Sequence, residues 1–210
     1  MNTRELFDFD RRFGAVVGVD EAGRGPLAGP VVCACCAMPL GGDYIDGIND
    51  SKKVSEKRRE ELYDVIINTA VFYHVAIVGH DVIDEKNILV ATSIGMRECV
   101  KAIDIPFDAL FIDYVPDKVR DFAAGDYTNK VRAVKKGDAT SYDVAAASIL
   151  AKVTRDRIMR EEDKKYPQYG FLKNKGYGTS EHIEALKKYG PSPIHRRTFI
   201  THFIGEHTDE

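Results

Sequence analysis

The stretch Ala15-Val16-Val17-Gly18-Val19-Asp20-Glu21-Ala22-Gly23-Arg24-Gly25-Pro26 runs from a short apolar segment into two acids and then into a glycine-rich break. Continuous apolar character, rather than alternation, marks a strand buried on both faces. Beyond the break, residues 29–39 resume as a second strand of the same kind. Residues 72–79, 109–113 and 131–134 read as three more, the fourth again ending in an Asp. Helical periods fill the gaps. Ser55 caps a helix running to about Thr69, with Leu62, Val65 and Ile66 on one face. Ile88, Thr92, Gly95, Met96, Cys99 and Ile103 form an apolar stripe, and residues 141–162 make a long helix. A last helix begins after Ser180 and stops at Gly190-Pro191. The expected fold is α/β: a mixed central sheet flanked by helices, with additional helices in a basic C-terminal part.

Composition narrows the classes. With 210 residues and 44% hydrophobic content, the chain has enough apolar material for a buried core. No run approaches 18 apolar residues, so a membrane-spanning helix is not expected. The acidic start, Met1-Asn2-Thr3-Arg4-Glu5-Leu6-Phe7-Asp8, lacks the apolar centre of a secretion signal. Three of four cysteines crowd into Cys33-Ala34-Cys35-Cys36, which is no disulfide framework; a reducing, cytoplasmic location follows. In a strand, Cys33 and Cys35 share one face and Cys36 takes the other, with no further ligands spaced for zinc. They read as small buried hydrophobes.

The net charge of −3 conceals an asymmetry. Residues 1–117 hold 12 Lys and Arg against 20 Asp and Glu, whereas residues 118–200 hold 18 against 10. Either a basic face meets a polyanion beside an acidic site for cations, or the charges simply solvate separate helices.

Chemistry concentrates where strands end. Asp20 and Glu21 follow one core strand, Asp113 ends another, and Asp138 precedes the long helix in Lys135-Lys136-Gly137-Asp138. If these strands are neighbours, the carboxylates converge at one sheet edge. Two carboxylates about 5 Å apart repel by roughly 3 kcal/mol at an effective dielectric near 20. Such a cluster must take up protons or bind cations, and oxygen-only ligands favour Mg²⁺ or Mn²⁺ over Zn²⁺. A pair of such ions suits phosphoryl transfer, one activating water and the other steadying the leaving oxygen. Gly23 and Gly25 let backbone N–H groups approach a ribose or phosphate, with Arg24 between them. A phosphate-binding P-loop is excluded, because Gly29 is followed by Pro30 rather than by Lys and Ser or Thr.

The run from Gly18 to Val32, Gly18-Val19-Asp20-Glu21-Ala22-Gly23-Arg24-Gly25-Pro26-Leu27-Ala28-Gly29-Pro30-Val31-Val32, closely resembles the opening signature of ribonuclease HII. The resemblance continues through Asn49-Asp50-Ser51-Lys52-Lys53, Phe111-Ile112-Asp113 and Lys136-Gly137-Asp138. It resumes in Ala145-Ala146-Ala147-Ser148-Ile149-Leu150-Ala151-Lys152-Val153-Thr154-Arg155-Asp156 and in Tyr166-Pro167-Gln168-Tyr169-Gly170-Phe171. Lys175-Gly176-Tyr177-Gly178-Thr179 and His195-Arg196-Arg197-Thr198-Phe199 complete it, so the blocks span about residues 14–200 in family order.

The resemblance implies a ribonuclease H-like fold with extra C-terminal helices, its catalytic core over about 14–160 and a helical basic part over about 161–200; the tail at 201–210 reads as disordered from its charge and its lack of apolar anchors after Ile204. It implies an endonuclease that hydrolyses the RNA strand of RNA–DNA hybrids. The same enzyme would cut 5′ to single ribonucleotides embedded in duplex DNA, leaving 3′-hydroxyl and 5′-phosphate ends. Its partners would be those nucleic acids; no membrane is implied and no protein partner is indicated. Asp20, Glu21, Asp113 and Asp138 would hold two Mg²⁺ or Mn²⁺ ions. Gly23, Arg24 and Gly25 would sense the 2′-OH, the group that separates RNA from DNA. Tyr177 would lie against the sugar at the RNA–DNA junction.

Other positions carry open alternatives. Lys52 or Lys53 contacts backbone phosphate or sits in a solvated loop. Ser148 and Lys152, four apart, present one helix face to phosphate, unless Ser148 packs under the sheet. Arg155, Lys173, Lys175, Arg196 and Arg197 suit a phosphate track. His195 is structural or phosphate-contacting rather than a general base. Tyr114 stands where the family pattern has a small residue. The rival readings are the sister type HIII, which carries an extra N-terminal domain, a nuclease for branched DNA, and a non-catalytic binder of hybrid duplexes.

Overall fold

Strands β1 (Val16–Ala22), β2 (Val31–Ala37), β3 (Phe72–Val78), β4 (Ala109–Asp113) and β5 (Val131–Val134) lie in the order β3-β2-β1-β4-β5. This is a computed structural model that describes residues 1–113, 115–134 and 136–204; Tyr114, Lys135 and residues 205–210 lie outside the described residues. β1 pairs antiparallel with β2 and parallel with β4, and β4 pairs parallel with β5. β1 is therefore central, which explains its unbroken apolar run. The expected mixed α/β architecture is present. β3 closes one edge, and its residues Tyr73 and Ile77 are exposed.

Helices cover both faces. α1 (Thr3–Asp10), α2 (Glu56–Thr69) and α6 (Tyr142–Lys165) pack on one, burying Leu6, Leu62, Ile66 and Ile149 against Val32, Ala34 and Cys36. α4 (Ile88–Lys101) and α5 (Asp117–Ala124) cover the other, where Met96 and Cys99 meet Cys33, Cys35 and Leu110. The cysteines divide between the faces as strand alternation requires, and all four are free and buried. α3 (His80–Lys86) precedes α4. α7 (Phe171–Asn174), α8 (Ser180–Tyr189) and α9 (Arg197–Ile204) extend the fold beyond α6.

The caps match their residues. Ser55 Oγ accepts from Arg58 N and Ser141 Oγ accepts from Val144 N, fixing the starts of α2 and α6. Gly18 sets the meeting of sheet and helix: a Cβ there would lie 2.2 Å from Val144 N. Only a glycine lets the first turn of α6 sit directly on β1.

Several expectations need correction. Val65 is exposed on α2, since the buried stripe is Leu62 and Ile66. Ile103 lies past the end of α4. α8 is not the last helix. Residues 201–204, expected in a disordered tail, belong to α9, whose Ile200 packs on Leu27 and Leu186. Among the described residues, no helix is long and apolar enough to cross a membrane.

Candidate active site

The parallel pairing of β1 with β4, in register Val19 to Ile112, brings the ends of two core strands together. Asp20 follows Val19 and Asp113 follows Ile112, so their side chains emerge side by side. β5 then delivers the third acid. After it, Lys136 adopts a left-handed conformation at φ +55°, and Gly137 N donates to Asp113 Oδ1 at 2.6 Å. Asp138 comes next in a short 3-10 turn leading to α6. Carboxylate oxygens of Asp20, Asp113 and Asp138 all lie within 4.8 Å of one another.

Such proximity has an electrostatic cost. Burial, then the charges of Glu21 and Asp113, pushes the Asp20 carboxyl well above the usual carboxylate range. Burial also raises Asp138, with Asp50 and then Asp113 adding to it. Glu21 is raised by burial, although Arg24 opposes the shift. Glu21, next along the strand, is outside the 4.8 Å trio, yet it lines the same cleft as Asp20 and the Asp113 charge also raises it. Its Oε1 accepts from Arg24 Nη1 at 3.3 Å, while its Oε2 is buried without a hydrogen-bond partner.

That unpartnered oxygen and the oxygen-only trio fit a hard divalent cation. Two oxygens on one Mg²⁺, each about 2.1 Å from it, lie no more than about 4.2 Å apart. The observed spread is reached with a small contraction. Asp20, Asp113, Asp138 and Glu21 are the residues that would hold such ions.

Asp50 is an acid that sequence reasoning gave no role. It stands against Asp138 and accepts Lys52 N at 3.0 Å, and its signal was its place beside Lys52 in Asn49-Asp50-Ser51-Lys52-Lys53. Lys52 Nζ lies 3.7 Å from Asp138 Oδ2 on a side chain that is 81% exposed. Burial lowers its pKa, but the carboxylates of Asp138 and Asp50 outweigh that and raise it. Lys52, Lys152, Arg24, Gly25 and Tyr177 line the same cleft as Asp20 and Glu21. Lys152 is partly covered, with its Nζ 2.6 Å from Asp156 Oδ1. Tyr177 is 45% exposed at the cleft wall, beside Gly25.

Ser148, for which packing under the sheet was the open alternative, and Arg196 are both buried. Ser148 Oγ donates to Ala145 O and accepts from Ser51 N, so it anchors the loop that carries Lys52 rather than facing solvent. Arg196 has no exposed surface: its guanidinium donates to the carbonyls of Gly23, Arg24, Gly29 and Pro30. Arg155, similarly buried, donates to Ala28, Pro30 and Lys175. These arginines shape the loop between β1 and β2 from within. Gly23 makes room: its φ is +98° and a Cβ would lie 2.1 Å from Arg155 Nε.

Other basic residues of the positive half answer acids elsewhere in the chain. Lys175 reaches Glu56 at 3.3 Å, Arg157 binds Glu60 at 2.6 Å, and Lys173 pairs with Glu181 at 3.1 Å. Part of the charge asymmetry is thus the pairing of α2 with α6 and the segment after it. His195 is buried within a histidine–serine cluster, in keeping with a structural role.

Comparisons with known proteins place nearly the whole chain. The profile of the family Ribonuclease HII matches residues 17–202. Ribonuclease HII of Acetivibrio thermocellus is 50% identical over 196 residues, covering 93% of this chain and 73% of the relative. Among solved structures, ribonuclease H2 from Pyrococcus horikoshii OT3 superposes with a TM-score of 0.74 at 29% identity, over 90% of this chain and 97% of that one. The ribonuclease HII of Archaeoglobus fulgidus, solved in complex with PCNA, gives 0.71 at 28% identity, over 87% and 94%.

Proposed function

This chain belongs to the ribonuclease HII family, and from that premise we propose that it cuts duplex DNA on the 5′ side of single embedded ribonucleotides. Membership makes it a metal-dependent endonuclease that hydrolyses the RNA of RNA–DNA hybrids. The finer reading assigns Asp20, Glu21, Asp113 and Asp138 to two divalent cations, Mg²⁺ or Mn²⁺. The observation that carries it is the convergence of three carboxylates within 4.8 Å, beside a buried Glu21 oxygen that has no partner.

Bound divalent cations supply an activated water and stabilise the leaving 3′ oxygen. Each surrounding residue then has a task. The turn at Gly23-Arg24-Gly25, held from below by Arg196, presents its upper side to the sugar. There its N–H groups and Arg24 recognise a 2′-OH, which deoxyribose lacks. Tyr177 stacks on the adjoining deoxyribose and disfavours a second 2′-OH at that place. Lys52 and Lys152 bind the neighbouring phosphates as cations on the cleft wall.

Product chemistry tests the nucleophile. Attack by water leaves a 3′-hydroxyl and a 5′-phosphate, ends that a ligase rejoins directly. A 2′,3′-cyclic phosphate would mean that the ribose 2′-OH attacked, and the proposed roles of the four acids would be wrong.

A further inference from the structure

His182 and His195 are buried titratable groups that the cleavage chemistry does not use, and their hydrogen bonds run in one direction. Ser192 N donates to His195 Nδ1 at 2.9 Å, so that nitrogen carries no proton. The proton of neutral His195 is then on Nε2, which lies 3.0 Å from His182 Nε2. His182 must accept there, which places its own proton on Nδ1, and Nδ1 is 2.8 Å from the carbonyl oxygen of Tyr177. Ser192 Oγ also lies 2.7 Å from His195 Nδ1, so both groups on that nitrogen are donors and each ring is left with one tautomer.

The two ends of this chain are attached to the two walls of the cleft. At one end Tyr177 carries the exposed ring. At the other, His195 forms a bridge with Ala28, and Arg196 beside it donates to the carbonyls of Gly23 and Arg24. The imidazoles are enclosed by Tyr169 and Phe171, whose rings lie 4.9–6.2 Å from theirs. Burial holds His195 down at about 3 and lowers His182, so both stay neutral and the direction is kept.

We propose that His182 and His195 are positioning residues: a directed imidazole chain fixes Tyr177 relative to the Gly23-Arg24-Gly25 turn and thereby sets the preference for a ribonucleotide–DNA junction over uniform hybrid. The proposal rests on the reading of Tyr177 as the residue against the junction sugar. Thr179 N also donates to the Tyr177 carbonyl, so losing the imidazole shifts the strap without releasing it.

The test compares kcat/KM on a single-ribonucleotide duplex with kcat/KM on uniform RNA–DNA hybrid, for the wild type and for His182→Phe, His182→Asn and Tyr177→Ala. Phenylalanine keeps the ring volume and loses both hydrogen bonds. Asparagine restores a donor near the Nδ1 position. The expected result is a selectivity ratio about tenfold lower in His182→Phe, the size of one well-placed hydrogen bond, with most of it recovered in His182→Asn. An unchanged ratio in His182→Phe, alongside a lowered ratio in Tyr177→Ala, overturns the positioning role alone. An unchanged ratio in Tyr177→Ala overturns the reading of Tyr177 and the selectivity claim with it. Nitrogen NMR of the wild-type protein decides independently of any variant's folding: Nδ1–H on His182 and Nε2–H on His195 support the chain, and the opposite tautomers overturn it.

Discussion

The Arg196 guanidinium donates to the carbonyl oxygen of Gly23 at 2.6 Å across 173 positions of sequence, from a side chain with no exposed surface. Nη1 of the same group reaches Arg24 at 3.0 Å. The turn proposed to read the sugar thus hangs from an arginine near the other end of the chain. With no carboxylate among its hydrogen-bond partners, burial pulls Arg196 to about 9, still charged at neutral pH.

Arg196→Leu tests whether that arginine is a pin or a phosphate ligand. It strips donors from buried carbonyls, at about 1–3 kcal/mol for each one left unmade. The expected result is a Tm lower by about 10 °C, using about 2–4 °C per kcal/mol for a chain of this size. A variant with wild-type Tm and weakened duplex binding would restore the phosphate role.

Lys52 should behave in the opposite way. Its ammonium is exposed on the cleft wall, so Lys52→Ala leaves Tm within about 1 °C, as for most surface changes. Duplex affinity falls, and the slope of log K against log salt decreases by about 1, the signature of one phosphate contact. An unchanged slope in a salt titration would remove Lys52 from the nucleic-acid interface.

The trio of acids predicts opposite effects of one substitution with and without metal. Asp113→Asn removes a charge from three carboxylates that repel by roughly 3 kcal/mol per pair at about 5 Å. Its Oδ1 still accepts from Gly137 N. The metal-free Tm therefore rises. The wild-type protein gains about 2.7 kcal/mol from a cation at 100 times its Kd, and Asp113→Asn loses most of that gain. Equal Tm shifts in Mn²⁺ for both proteins would contradict the assignment.

Asp10 makes stability depend on pH. Its carboxylate accepts from Ser141 Oγ and Asp143 N at the start of α6, yet burial raises it to about 7. The folded state holds a proton that the unfolded state releases near pH 4, so its contribution is complete below pH 4 and is lost as pH rises towards 7. The slope approaches about 1.4 kcal/mol per pH unit. Asp10→Asn escapes this loss. The Tm difference, variant minus wild type, should grow between pH 4 and 7 and then level off. A constant difference from pH 4 to 8 would contradict it.

The strands were legible because β1 and β2 are buried on both faces, and nothing but continuous apolar sequence satisfies that. Ser55 and Ser141 announced their helices through capping chemistry that is local in sequence. α1 escaped notice since Leu6 and Phe7 are its only buried large apolar residues, too few for a period to register. α9 was hidden by the charged residues that follow it. Asp20, Asp113 and Asp138 were recognisable because each acid sits against a core strand or the long helix. Arg155 and Arg196 were misread for a chemical reason: a guanidinium that binds carbonyl oxygens and one that binds phosphate oxygens have the same sequence signature. Only burial separates them. Asp50 was passed over because its partner, Asp138, is distant in sequence.

The most direct test is cleavage of a DNA duplex containing one ribonucleotide, in Mg²⁺ and in Mn²⁺, beside an all-DNA duplex and the Asp113→Asn variant. The account predicts one cut, immediately 5′ to the ribonucleotide, absent from the all-DNA duplex and from the variant. Folded wild-type protein that leaves this duplex intact with either ion, or a variant that cuts as well as the wild type, would contradict it.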